Sequence, residues 1–159
     1  MRVVLVVAAA VVPRLASASP PHAIEAVAGG RVSLISHDEI VGRVAVTGSM
    51  RWNDRWHAGL RFSVDANQHT QIYEPSGEVG IWLHASKTID VLLGWRLGYA
   101  NFRFDDVVVH AFAAEHIADI VVRMGARTEL HVAPFTVQTY YSGLWQLTVG
   151  TEVGLAWRL

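Results

Sequence analysis

The chain has no cysteine, and among its 159 residues only Lys87 is a lysine. Without cysteine there is no disulfide scaffold, no thiolate metal site, no cysteine nucleophile and no lipid-modified N-terminal cysteine. Charged residues are scarce at 17%, against about 25% in an ordinary soluble domain. Positive and negative side chains nearly cancel, at 13 Lys+Arg and 14 Asp+Glu. That balance excludes the basic surface a nucleic-acid binder needs. Disorder is excluded by the opposite trait: 52% of residues are hydrophobic. Beyond the N-terminus no apolar run reaches the length of a membrane-spanning helix, about 20 residues. Phosphate-loop and nucleic-acid motifs are absent too.

What is present begins with an export pattern. Arg2 gives a positive start, Val3 to Val12 is an unbroken apolar run, and Ala16-Ser17-Ala18 has the small-x-small form of a signal-peptidase site. Residues 1–18 are therefore expected to be a cleaved signal peptide, and 19–159 a single domain.

That domain alternates. Trp56, Ala58, Leu60, Phe62, Val64 and Ala66 share one parity, and His57, Gly59, Arg61, Ser63 and Asp65 the other. Side chains two apart share a face only in a strand. The pattern recurs over 78–85, 89–99, 119–132 and 145–159, and more weakly over 23–35, 40–51 and 106–114. In the five clearest segments one face has no charge, while the other carries arginines, acids, histidines and glycines. Eight strands are expected, with connections at 36–38, 52–54, 67–77, 86–87, 100–105, 115–118 and 134–142. Glu74-Pro75-Ser76-Gly77 reads as a turn signal within the third connection. With both termini periplasmic, the two longest connections, 67–77 and 134–142, fall outside the cell.

The expected fold is all-β: an eight-stranded antiparallel up-and-down transmembrane barrel. A lipocalin-like soluble binder would turn the apolar face inward, but its exterior would then be a glycine-rich surface without lysine. Lipid suits the uncharged face, because a mid-membrane Arg or Lys costs about 2–4 kcal/mol. A narrow lumen suits the other. Aromatics cluster near segment ends, with Trp52, Trp56 and Trp157 at one rim and Tyr99, Tyr140, Tyr141 and Trp145 at the other.

The C-terminus reads Glu152-Val-Gly154-Leu-Ala-Trp157-Arg-Leu159. It resembles the polar-x-Gly-x-x-apolar-x-aromatic ending of bacterial outer-membrane barrels, with Leu159 in place of the usual aromatic residue. The resemblance is to small barrels of the OmpX and OmpA-barrel type. It implies an outer-membrane location, lipid neighbours, and Glu152, Gly154, Trp157 and Leu159 as the signal read by barrel-insertion machinery. No metal-ligand motif is present, and no cofactor or catalytic residue is expected. The expected role is structural, or contact-making through the loops 67–77 and 134–142, with an unspecified extracellular partner.

The inward parity gathers an expected lumen charge network: Arg31, Arg43, Arg61, Asp65, Asp90, Arg96, Asp119, Arg123, Arg127, Glu129, Glu152 and Arg158. With the last hairpin turning near 138–139, Asp119 should oppose Arg158, and Arg123 and Arg127 should flank Glu152. Closure of the barrel brings Arg31 to its other side. Glu74 is expected in a solvated loop.

Two sets of residues raise chemistry. His84-Ala85-Ser86 resembles the His-x-Ser pair of outer-membrane lipid A deacylases. That family acts on the outer leaflet and has Asn where Lys87 stands, and the expected position is periplasmic; the plain alternative is a hydrogen-bonding pair. Ser36-His37-Asp38 holds triad residue types, but adjacent turn residues cannot converge as a triad must. His57 and His84 lie on neighbouring strands without a third metal ligand.

Overall fold

In a computed structural model, described for residues 22–33, 40–52, 55–104 and 107–159, the chain is eight antiparallel strands closed into a barrel. They are β1 His22–Ser33, β2 Ile40–Trp52, β3 Trp56–Ala66, β4 Thr70–His84, β5 Ile89–Phe104, β6 Val107–Arg123, β7 Thr128–Tyr141 and β8 Trp145–Arg158. Each strand pairs with its sequence neighbours, and β1 closes on β8, where Gly29 faces Glu152. The export segment and Ser36 to Asp38 lie outside the described residues.

Alternation decides the faces. Leu60, Phe62, Val79, Leu97, Val153 and Leu155 point outward and are exposed, while Arg43, Arg61, Asp65, Arg96 and Glu152 point inward and are buried. This is the reverse of a lipocalin. The outward surface is a band of aliphatic and aromatic side chains, which water would penalise and hydrocarbon would not. Among the described residues, Arg103 alone brings a full charge to an outward strand position, near the end away from the termini, with its guanidinium over the Tyr73 ring. Trp52, Trp56 and Trp157 ring the terminal end, and Tyr99, Tyr141 and Trp145 lie outward in the other half. Tyr140 departs from expectation: it points into the lumen and is buried.

Four connections differ from the sequence expectation; in the fifth, expected at 100–105, residues 100–104 extend β5, with Ala100 and Phe102 inward and buried. Residues 70–77 belong to β4, so the third connection is only Asn67 to His69. There Asn67 Oδ1 accepts the backbone N–H groups of His69 and Thr70 at 2.8 and 2.7 Å, a short side-chain-capped turn. Pro75, read as a turn residue, faces outward opposite Phe62; its missing donor falls where β4 has no partner on β5, between Tyr73 and Ser76.

The sixth connection lies at Met124 to Arg127, not at 115–118. Arg123 pairs with Glu129 across it, both inward, so the alternation carries through the turn with its parity unchanged. Periodicity alone could not find such a turn. Residues 134–141 continue β7, leaving Ser142 to Leu144 as the seventh connection, with Gly143 at a φ of 96° that favours glycine. What broke the alternation there is a bulge. Ala133 pairs with Glu152 and Thr136 with Gly150, so Pro134 and Phe135 add one residue to β7. Inward positions shift from Glu129, His131 and Ala133 to Thr136, Gln138 and Tyr140.

Candidate functional site

The lumen is filled in layers. Away from the termini, Ile72, Phe102 and Tyr140 close it with Ala100, Ala111 and Ala113, and the Phe102 and Tyr140 rings meet edge to face at 4.8 Å. Below lies an ionic layer centred on Arg43, which is fully enclosed. Its Nε and Nη2 donate to Asp65, the latter at 2.6 Å to Oδ2. Nη1 donates to Glu152 Oε1 at 3.2 Å and Nη2 to Gln138 Oε1 at 3.1 Å. Arg61 Nη2 donates to the other Glu152 oxygen at 2.8 Å. Arg96 bridges Glu78 at 3.0 Å and Glu115 at 2.6 Å, and His57 meets Glu78 at 2.7 Å. Gln138 Nε2 donates to Glu74 Oε2 at 2.7 Å, tying the ionic layer to the apolar one through Tyr140.

Each buried ion costs several kcal/mol to desolvate, and only forked, multiply bonded pairing offsets that. Two glycines make room for it. A Cβ on Gly59 would lie 2.7 Å from Glu78 Oε1, and one on Gly29 would strike the Thr151 carbonyl and press on Glu152.

A third layer lies at the terminal end. Asp90 is bonded by His84 Nδ1 at 2.6 Å and by Arg123 Nη2, while His84 Nε2 faces Arg51 at 3.2 Å. Arg158 pairs with Glu129. His131 stands among Glu25, Glu129 and Asp119, at 3.3, 3.8 and 3.9 Å.

The expected network is thus redistributed. Glu152 is buried among arginines, but they are Arg43 and Arg61, because the true hairpin places Ala133, not Gly125, opposite it. Arg127 is exposed in the turn after β6 and takes no part in the lumen. Asp119 lies near His131, and Arg158 takes Glu129 instead. The side chain of Arg31 is outside the described residues; its backbone stands opposite Gly150 and Val41. Glu74, expected in solvent, is 1% exposed.

Sequence reasoning passed over Glu25, Arg51, Glu78 and His131, although all four lie on inward parity. Glu74, Glu115, Gln138 and Tyr140 were hidden inside stretches read as connections or, for Tyr140, as rim.

The His84 and Ser86 pair does not converge. Ser86 Oγ accepts the backbone N–H groups of Thr88 and Ile89 at 3.3 and 3.1 Å, capping its own turn, while His84 is held by Asp90 and Arg51. Among the described residues no group of three His, Asp or Glu is arranged to hold a metal ion.

No protein-family model matches the sequence, and no curated protein matches it. Solved structures match in shape. The crystal structure of Neisserial surface protein A (NspA) aligns with a TM-score of 0.68 at 10% identity, covering 87% of this chain and 96% of that one. The N-terminal β-barrel domain of Pseudomonas aeruginosa OprF aligns at 0.60 and 11% identity, covering 85% and 97%. The chain has the fold of the small outer-membrane β-barrels. The outer membrane enzyme PagL shares it, with a TM-score of 0.56 at 12% identity over 84% of this chain and 98% of that one. Within this barrel fold the chemistry rests with particular side chains.

Proposed function

We propose that the chain is an integral outer-membrane protein whose barrel is a closed, non-conducting structural element. The observation that carries this is the enclosed Arg43 layer: a guanidinium bonded to Asp65, Glu152 and Gln138 across the lumen, with Ile72, Phe102 and Tyr140 stacked beyond it. Contact through long external loops is not part of the proposal. Residues 70–77 and 134–141, expected in loops, are strands, leaving Asn67 to His69 and Ser142 to Leu144 as the connections. Its partners are outer-membrane lipids along the outward band. During assembly the insertion machinery reads Glu152, Gly154, Trp157 and Leu159, and residues 1–18 direct export. Reconstitution in planar bilayers tests the proposal. The wild-type barrel should pass no resolvable ion current, and stable open-channel steps would refute a closed lumen.

A further inference from the structure

The terminal end of the lumen holds a cavity of about 300 Å³, lined by residues from every strand except β5, with Glu25 and Glu129 beside the arginines. Arg51, Arg123 and Arg158 converge on it, close enough for the first two to act on the third as like charges. Trp82 forms part of the wall, 6% exposed, with the Arg51 guanidinium 4.6 Å above its ring.

The polar atoms of this wall are unevenly used. Asp90 has one oxygen bonded by His84 and the other by Arg123, and Glu129 is taken by Arg158. Glu25 faces His131. Trp82 Nε1, Arg123 Nε and both His131 nitrogens are enclosed and have no hydrogen-bond partner among the described residues. The Arg123 and Arg158 side chains, 30% and 29% exposed, remain open to an acceptor from outside the chain.

We propose that this vestibule binds a small phosphate-bearing oxyanion. Three guanidiniums approach from several directions. A tetrahedral anion with three or four acceptor oxygens answers that arrangement better than a planar carboxylate with two. The mouth opens beside the chain termini, where a free phosphate or a lipid headgroup could enter, and the two sources offer the same group to the same donors.

The test uses the full barrel in nanodiscs with ¹⁵N-labelled tryptophan. The Trp82 indole N–H resonance is assigned by its loss in Trp82→Phe. In discs of the phosphate-free lipid digalactosyldiacylglycerol, inorganic phosphate should shift that resonance saturably, and Arg123→Gln should weaken the apparent affinity tenfold or more. Ser49→Phe, which fills the cavity without removing a charge, should abolish the shift, and it decides the matter if Arg123→Gln fails to assemble. A displaced resonance in phosphatidylglycerol discs without added phosphate would support the same site filled by a headgroup. No response to either source, or equal responses in wild type and variants, would overturn the proposal.

Discussion

Arg43 bonds Asp65, Glu152 and Gln138 and lies within 3.6 Å of Glu74 and Glu115. Removing it would leave several carboxylates facing one another in an enclosed space. Breaking a buried pair in this way costs about 3–5 kcal/mol, because the remaining charge loses its compensation. Arg43→Met should therefore lower the unfolding free energy by about that amount, measured by denaturant titration of the refolded barrel. Arg127→Met, in an exposed turn, should change it by less than about 0.5 kcal/mol. Inward parity alone marked Arg43, Asp65 and Arg96 as lumen residues. The partners were harder to find. Glu74 lies beside a proline that resembles a turn, and Glu115 sits where a connection was expected. Partner choice depends on register, which a period of two does not specify.

At the scale of the strand, β7 tests how register is held. Its extra residue at Pro134–Phe135 lets Glu129, His131 and Ala133 point inward before the bulge and Thr136, Gln138 and Tyr140 after it. The β6 side shows the same excess, with His116 paired to Val137 and Ile120 to Val132. Deleting Pro134 should remove the bulge against both neighbours while keeping every inward side chain inward, so the variant should still run as a heat-modifiable barrel on gels. Inserting one alanine between Gly150 and Thr151 should prevent assembly, because it turns Glu152 toward lipid while leaving Gly154 and Trp157 in place relative to the C-terminus. Equal behaviour of the two variants would contradict this account of register. β3 and β8 were legible because their alternation runs unbroken, as in Trp56 to Ala66; β5 was legible only to Tyr99, its last five residues being read as a connection. β6 and β7 were not: their shared turn preserves parity, and the bulge breaks it in mid-strand.

For the molecule as a whole, the outward band and the filled lumen together define a membrane barrel. Leu97 lies near the middle of β5 and faces outward. Leu97→Arg should cost about 2–4 kcal/mol of stability in bilayers, the penalty for a cation near mid-depth. A second cation at Tyr73, beside the outward Arg103, should cost about 0–1 kcal/mol if that end lies at the interface. Unfolding titrations in lipid vesicles would compare them.

The central claim is that the two faces of each strand meet lipid and a closed interior, and β5 offers the most direct test. Because the protein has no cysteine, a single introduced cysteine carries a spin label without background. Labels scanned from Val91 to Ala100 in the reconstituted barrel would be measured for collision with oxygen, which concentrates in hydrocarbon, and with a water-soluble nickel chelate. Odd positions, Val91 to Tyr99, should favour oxygen strongly, and even positions, Leu92 to Ala100, should be protected from both reagents. Chelate access at the odd positions, or an oxygen signal without a period of two, would contradict the account.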